Sequence, residues 1–390
     1  VSDRAGYAFG RIRPETVREL YGARLRLSAS QIDKAAECRF AYFLRYGIRA
    51  KDRKKAQVDA ARFGTFVHYV LEHTARDVEE QGGFAQMTGD QVQAIAGKYM
   101  EEYTAAYLAE LQSRSQREDY LYKRNLEEVR SVVEELRREL SQAQFRPRGF
   151  ELQFGPEGAM PSIQVRGREM EAEIRGFVDR VDLASVAGRD YVRVVDYKTG
   201  KKDFDYCDIL SGIGLQMLLY LFALEQGGQT ALGTRTEIAG VEYFPARMPI
   251  VRTEGRGDGR GEQSGRAKAL QRQGLILKDS DVARAMDATE AGDYLPGKRD
   301  KAGELRSGAA TPGQWRALRD HVFGQVARLI DEISGGTVDP NPYYRGPDHN
   351  ACRYCEYYDA CHLDACGKTR PFRAVGETEF WKTIGGDDNG

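Results

Sequence analysis

Two stretches decide the fold of this sequence: Gly176-Phe-Val-Asp179-Arg-Val-Asp182 and Val194-Val-Asp196-Tyr-Lys198-Thr-Gly200. Their apolar residues predict strands, and Asp196 and Lys198 project to one side because residues i and i+2 share a strand face. We expect Asp179 to end the neighbouring strand of a hairpin and to meet Asp196 across it. Two carboxylates this close are costly without a cation between them, and their hard oxygens suit Mg²⁺ or Mn²⁺.

This arrangement predicts a chemistry directed at phosphate. A metal bound by Asp179 and Asp196 would polarise a phosphate oxygen and help to generate hydroxide from water. Lys198 would neutralise the charge that develops on the phosphate. The alternative interpretation is a surface salt bridge at the end of a hairpin, since a lone Asp-x-Lys pattern is frequent by chance.

Two further motifs could contribute to the same site. Gln216 and Tyr220 are four residues apart in a predicted helix at 214–226, so they line one face that could point at a metal or a substrate. His68 lies in Gly64-Thr-Phe-Val-His68-Tyr-Val-Leu71. Both have plainer interpretations, because Gln216 could be incidental on a helix that packs leucines and His68 could be a structural histidine.

The C-terminal part contains the motif Cys352-x-x-Cys355 followed by Cys361. Thiolates two residues apart can bind one metal centre, because a tight turn brings both sulfurs to one point. Three cysteines require a fourth ligand, which is either local, making a zinc site, or distant. The candidates are Cys366, His349 and His362 close by, and Cys38, which precedes Cys352 by 314 residues.

The bulk composition is that of a globular, soluble protein. The 390 residues carry a net charge of -1, with 41% hydrophobic and 30% charged residues. No apolar run reaches the roughly 18 residues that a membrane span needs, and the polar start is unlike a secretory signal. The six cysteines and this composition predict a reducing, cytoplasmic setting. Because the chain begins with Val1, we expect a fragment of a longer protein.

The hydrophobic periodicity changes along the chain. Ser28 and Ser30 offer N-caps to a helix that carries Cys38 and extends to Leu44. Residues 253–265 are too rich in glycine for regular structure and form, with neighbouring arginines that include Arg272, a basic loop that could touch a phosphate backbone or be merely solvated. Helices are predicted at about 62–80, 91–112, 118–143, 214–226 and 312–334, and strands at 150–154, 162–167, 171–178, 191–197 and 237–244.

The ordered motifs G-x-x-x-H-x-x-L, G-x-x-D, D-Y-K and Q-x-x-x-Y resemble the RecB-like branch of the PD-(D/E)XK nuclease superfamily. The resemblance implies an α/β fold, a restriction-endonuclease-like mixed sheet flanked by helices. It implies a Mg²⁺ or Mn²⁺ site formed by His68, Asp179, Asp196 and the Tyr197 carbonyl. It also implies a catalytic Lys198, an active-site motif completed by Gln216 and Tyr220, and a supporting role for Asp182.

The cysteine pattern resembles the AddB-type nuclease domain of AddAB helicase–nucleases. In that family an upstream cysteine in a C-P-F-like motif and a C-terminal C-x2-C-x5-C hold a [4Fe–4S] cluster, which implies Cys38, Cys352, Cys355 and Cys361 as ligands here. Arg39 stands where that motif usually has proline. The resemblance runs from about Leu25 to Cys366 and implies a structural role for the cluster, leaving Cys207 as an ordinary thiol.

These resemblances imply a DNA nuclease domain for double-strand break repair, acting on single strands at duplex ends that an AddA-type helicase partner delivers. The strand would lie in a basic channel with aromatic stacking, to which Tyr42–Tyr46 could contribute. The rivals are a non-catalytic DNA-binding module and a zinc-binding interaction domain. The predicted divisions are a linker or domain remnant (1–25), a helical region (26–149), the nuclease core (150–250), a connecting insertion (251–311), a C-terminal helix with the cluster cysteines (312–366) and a tail (367–390).

Overall fold

The computed structural model describes residues 10–50, 60–110, 116–248, 270–297, 299–300, 303–363 and 368–386, with only the backbone described for 60–62, 107–110 and 116–123. Among these residues, no helix combines the length and the apolar character required to cross a membrane. The glycine-rich stretch 253–265 and Cys366 lie outside the described residues.

The predicted strands form, and further strands accompany them. Each predicted strand is recovered within a few residues, because runs of valine, isoleucine and aromatic residues suit a half-buried pleated surface. Within the described residues the strands are β1 (Leu25–Ser28), β2 (Arg146–Phe154), β3 (Ile163–Arg166), β4 (Glu171–Val186), β5 (Arg189–Lys198), β6 (Thr236–Pro245), β7 (Gln273–Leu277), β8 (Ala309–Ala310), β9 (Tyr343–Tyr344) and β10 (Arg370–Pro371).

The main sheet is mixed and runs in the order β1-β4-β5-β6-β7-β8, with β2 and β3 also paired to β4. β4 is antiparallel to β5, whereas β5 and β6 are parallel. The first half of β4 lies between β1 and β3, and its second half lies between β5 and β2. On one side of β4, the pairing with β1 ends at Arg175 and the pairing with β5 begins at Arg180. A fork therefore opens beside residues 176–179.

Helices cover both faces of this sheet, which confirms the predicted α/β architecture. They begin and end close to the predicted limits where the apolar period is strong. Within the described residues the helices are α1 (Pro14–Tyr21), α2 (Ala29–Glu37), α3 (Arg39–Tyr42), α4 (Ala60–Glu80), α5 (Gly89–Glu110), α6 (Gln116–Gln142), α7 (Tyr206–Leu210), α8 (Gln216–Gly227), α9 (Gln229–Leu232), α10 (Ser280–Met286), α11 (Pro312–Ser334), α12 (Tyr358–Cys361) and α13 (Glu377–Ile384).

Strand β5 shows why the sheet needs two helical layers. Val194 and Val195 are both buried although they point to opposite faces. Val194 packs in a large cluster with α2, α8 and α11, whereas Val195 packs in a second cluster with α4, α5 and α6. Strands covered on both faces carry continuous apolar runs, and the length of the run at 191–197 follows from this burial.

The predicted helix from Ser28 to Leu44 is interrupted at Cys38. Ser28 caps α2 as expected, forming a reciprocal capping box with Gln31. The backbone of Cys38 is extended, with φ -162° and ψ 124°, and α3 begins at Arg39. This break turns the chain, so that Cys38 and Arg39 face different surroundings.

Several predicted boundaries differ from the structure. Residues 1–25 were predicted as a linker, but α1 forms there and buries Val17 in the main core. The predicted tail includes α13, whose Phe380 and Trp381 are buried. The sheet also exceeds the predicted core of 150–250, since β1, β7 and β8 lie outside it. Asp179 does not end its strand but lies in the middle of β4, because the strand continues to Val186.

A network of fully buried charges joins the helical layer to the sheet. Arg272, predicted to belong to a basic surface loop, is wrong in that role, because it is fully buried and bonds Glu139 on α6 at 2.7 Å. Asp182, expected to support the metal site, pairs instead with Arg193 at 2.7 Å. Burial alone would raise the pKa of Glu139, but the surrounding arginines lower it to about 2. The buried network consists of Arg180, Arg193, Arg272, Glu139, Asp182 and Glu242.

Candidate metal and nuclease site

Asp179 and Asp196 lie side by side at the fork in the sheet. The register pairs Arg180 with Val195, and its continuation by one residue places Asp179 opposite Asp196. The Tyr197 backbone N–H donates a hydrogen bond of 2.7 Å to Asp179 Oδ2. Asp196 is 7% exposed and forms an ion pair with Lys198, two residues along the same strand face. The fork therefore holds two carboxylates and one ammonium group.

His68 approaches this pair from the helical layer. Its Nε2 lies 2.9 Å from the Tyr197 carbonyl oxygen, and its Nδ1 lies 3.5 Å from Asp179 Oδ2. A carbonyl oxygen can only accept, so Nε2 carries the proton in this arrangement. The plain structural interpretation of His68 is disfavoured, because α4 directs the ring at the carboxylate and the carbonyl that were predicted to share a metal with it.

Glu151 is a site residue that the sequence did not reveal. The β2–β4 register pairs Phe150 with Arg180 and Leu152 with Val178, which places Glu151 opposite Asp179. Ligand atoms of His68, Glu151 and Asp179 all lie within 4.8 Å of one another. The only signal in the sequence was an acidic residue in an alternating strand, and such residues are usually solvated.

The electrostatics of the carboxylates indicate an uncompensated negative site. Burial, followed by the charge of Asp196, raises the pKa of Asp179 to about 6. Burial, followed by the charge of Asp179, raises the pKa of Glu151 to about 7. His68 and Lys198 offset only part of this repulsion at Asp179. An oxygen-rich donor set with one imidazole fits a hard divalent cation such as Mg²⁺ or Mn²⁺.

Helix α8 brings Tyr220 and Gln216 beside the fork. Tyr220 is buried, stacks on Phe154 with 5.0 Å between ring centroids, and hydrogen-bonds Gln216. Burial raises the pKa of Tyr220 to about 12, and the charges of Asp196 and Asp179 contribute to this rise. Tyr220 is therefore a neutral hydroxyl group within the electrostatic reach of both carboxylates.

The four cysteines predicted to act together line one small cavity. Cys38, on the break between α2 and α3, meets the C-terminal segment there, although 314 residues separate it from Cys352. Burial raises the pKa of Cys355, and the neighbouring thiols of Cys38 and Cys361 add to this. His349 and His362 do not line this cavity, whose described cysteines are Cys38, Cys352, Cys355 and Cys361.

Two other predicted contributors lie elsewhere. Cys207 is buried beside the backbone of Val375, with its sulfur 3.4 Å from that N–H, as expected for an ordinary thiol. Tyr42, considered for base stacking, is 3% exposed and packs between Tyr21 and Tyr46. It is a core residue, because α3 turns it inward.

Comparison with known proteins agrees with this geometry. The profile of the PD-(D/E)XK nuclease superfamily matches residues 26–362. The chain belongs to this superfamily. The matched range contains the sheet, the fork with Asp179 and Asp196, His68 on α4 and all four cysteines that line the small cavity.

Members of the superfamily with curated names resemble nearly the whole chain. The ATP-dependent helicase/deoxyribonuclease subunit (AddB) of Moorella thermoacetica is 33% identical over 379 residues, which cover 95% of this chain and 33% of that protein. The proteins of the same name from Pelotomaculum thermopropionicum and Clostridium tetani are 31% and 29% identical, covering 96% and 93% of this chain. The chain thus spans about a third of the length of these relatives.

Proposed function

We propose that this chain is a metal-dependent deoxyribonuclease domain of a helicase–nuclease complex that processes DNA double-strand breaks. The observation that carries the proposal is the convergence of His68, Glu151 and Asp179 within 4.8 Å, beside the Asp196–Lys198 ion pair. Surface salt bridges are usually exposed, whereas Asp196 is 7% exposed. This burial favours a built site over the salt-bridge alternative.

The residues around the fork have distinct roles in phosphodiester hydrolysis. His68, Asp179, Asp196 and the Tyr197 carbonyl would hold Mg²⁺ or Mn²⁺, with Glu151 as an additional carboxylate. The bound ion would supply Lewis-acid activation of water and of the phosphate. Lys198 stabilises the negative charge that develops on the phosphate.

Tyr220 and Gln216 complete the proposed site. Their hydrogen bond fixes the Tyr220 hydroxyl, which remains a neutral donor because the pKa of Tyr220 is raised. A neutral phenol can donate to a phosphate oxygen without adding negative charge beside the carboxylates.

An exposed aromatic side chain supports a single-stranded DNA substrate. Phe177 is 49% exposed, and it shares the strand face of Asp179 because two residues separate them. Unpaired bases stack on exposed aromatic rings, whereas bases inside a duplex are stacked on each other. We propose that a base next to the cleaved phosphate contacts Phe177.

We also propose that Cys38, Cys352, Cys355 and Cys361 bind a [4Fe–4S] cluster with a structural role. Thiolates on one tetrahedral zinc ion lie about 3.8 Å apart, because each Zn–S bond is about 2.3 Å. Among the described cysteines, no three sulfurs lie within 4.8 Å of one another. This wider spacing favours a multi-iron cluster over the zinc alternative, and a cluster here would join α2 to the C-terminal segment.

The proposed partner is the helicase component of the same complex. The relatives from Moorella thermoacetica and Clostridium tetani are named as one subunit of an ATP-dependent helicase/deoxyribonuclease. The sequence contains no G-x-x-x-x-G-K-[ST] motif. We therefore propose that a separate motor delivers the single strand to this chain in the cytoplasm.

The test is DNA cleavage by the purified, anaerobically handled chain with Mg²⁺, Mn²⁺ or a chelator. Single-stranded DNA should be cut only with metal, and long blunt duplex should be cut poorly without a motor. Asp196→Asn and Lys198→Gln should each abolish cleavage. The exposed Lys201–Asp203 ion pair, with a 3.1 Å separation, provides matched controls in Asp203→Asn and Lys201→Gln, which should cleave normally.

Two results would contradict the proposal. Cleavage by both site variants at the wild-type rate would remove the fork from the chemistry. Metal-independent DNA binding without cleavage by the wild-type chain would favour a non-catalytic binding module.

A further inference from the structure

A second polar cavity lies away from the fork. It has a volume of about 310 Å³ and is enclosed by α2, α11 and the C-terminal segment around β9 and β10. This volume is at the lower end of those that accept small ligands. Its lining and the lining of the cysteine cavity have no residue in common, so the two cavities are separate.

The charge of this cavity is unbalanced. Arg39, Arg328 and Arg370 line it, against one described carboxylate in the lining, Glu332. Glu332 pairs with the Nε of Arg39 at 2.5 Å, which engages one edge of that guanidinium group. Two positive charges therefore remain without an anion among the described residues of the lining.

Arg39 provides the second observation that points to a ligand. Its side chain is 7% exposed, and its Nη1 is buried without a hydrogen-bond partner among the described residues. A buried donor without an acceptor is costly, and more so on a charged group. An anion in the cavity would satisfy this donor.

The surroundings hold the arginines in place. Arg370 donates from its Nε to the Asn341 carbonyl at 2.9 Å and from its Nη2 to the Glu37 carbonyl at 3.1 Å. Asn341 Oδ1 accepts the Arg39 backbone N–H at 3.0 Å, so its Nδ2 is left as a further donor. The cavity therefore combines guanidinium and amide donors that are already positioned.

We propose that this cavity binds a phosphoryl group. Guanidinium groups match phosphate oxygens in geometry, and phosphate monoesters carry about -1.5 to -2 charges at pH 7, which matches the surplus of two positive charges. The phosphoryl group could come from free phosphate or a mononucleotide, or from the terminal phosphate of a DNA strand. The proposal is independent of the chemistry at the fork.

The test is calorimetric titration of the whole chain with inorganic phosphate, in chelator and at constant ionic strength. Chloride and sulfate titrations measure the general salt effect and the response to another divalent oxyanion. Arg39→Gln and Arg328→Gln should each weaken phosphate binding about tenfold or more, because each removes a charged hydrogen-bond donor. Arg316→Gln, an exposed arginine on the same helix as Arg328, is the matched control and should bind as the wild type does.

Competition with phosphate identifies the source of the phosphoryl group. Displacement by a 5′-phosphorylated oligonucleotide but not by its hydroxyl counterpart indicates a strand end, and displacement only by a mononucleotide indicates a small molecule. Arg328→Gln keeps the proposal falsifiable if Arg39→Gln disturbs the adjacent Cys38, since Arg328 is exposed on α11. Equal phosphate binding by wild type and Arg328→Gln, or a wild-type response no different from chloride, would overturn the proposal.

Discussion

The Tyr220 hydroxyl oxygen lies 1.7 Å from the position that a Cβ atom on Gly176 would occupy. The glycine of the G-x-x-D motif is therefore explained by the tyrosine of the Q-x-x-x-Y motif. Tyr220 cannot easily retreat, because it is buried and stacked on Phe154. The two motifs, separate in sequence, form one packing contact at the fork.

We expect Gly176→Ala to displace Tyr220, to lower the free energy of unfolding by about 1–3 kcal/mol through overpacking, and to reduce cleavage. Chemical denaturation and nuclease assays measure the two effects. Gly324→Ala is the control, since nothing lies within 4 Å of its added Cβ, and it should be neutral or slightly stabilising in α11. A Gly176→Ala protein with wild-type stability and activity would show that Tyr220 moves freely.

Glu151→Gln should weaken Mn²⁺ binding about ten- to hundredfold, the range found when groups around a metal are altered, and should slow cleavage. The reason is that Gln keeps the size but loses the negative charge opposite Asp179. Calorimetric titration with Mn²⁺ measures the affinity, with the exposed Glu157→Gln as the matched control. An unchanged Mn²⁺ affinity would exclude Glu151 as a ligand.

Cys38→Ser should remove most iron and sulfide and lower stability as strongly as Cys355→Ser, because either change leaves a cluster without one thiolate. Iron, sulfide and zinc analysis of anaerobically purified protein is the measurement. Cys207→Ser and Cys366→Ser should retain the wild-type iron content. A colourless wild type with one zinc ion, unaffected by Cys38→Ser, would instead establish a local zinc site.

Asp33→Asn should stabilise the protein at neutral pH. Burial, offset in part by the Gly214 N–H and Lys202 and reinforced by Glu37, raises the pKa of Asp33 to about 6. A carboxyl group with a raised folded-state pKa contributes most below its unfolded pKa near 3.8, and this contribution is lost as the pH rises through about 6.

The advantage of Asp33→Asn should therefore grow between pH 4 and pH 6 and reach about 3 kcal/mol, at about 1.4 kcal/mol per pKa unit. Denaturation across this pH range measures it. A constant difference between variant and wild type would mean that Asp33 titrates normally in the folded state.

The sequence predicted the central strands because local patterns determine them. Val194 and Val195 form part of an apolar run, and the four family motifs stand in their expected order. It could not reveal the partner strand of β4, so Glu151 was missed, since its position depends on register. It also placed Arg272 in solvent, because the carboxylate that justifies its burial, Glu139, is 133 residues away.

The buried network of Arg180, Arg193, Arg272, Glu139, Asp182 and Glu242 constrains how the sequence can diverge. Loss of one member strands its partners in the interior, which costs about 3–5 kcal/mol, a large part of the roughly 5–15 kcal/mol by which a typical protein is stable. Replacing the whole network by apolar residues avoids that cost, but single substitutions cannot reach it without passing through a poorly folded intermediate. Descendants of this protein will therefore tend to inherit these positions as a block.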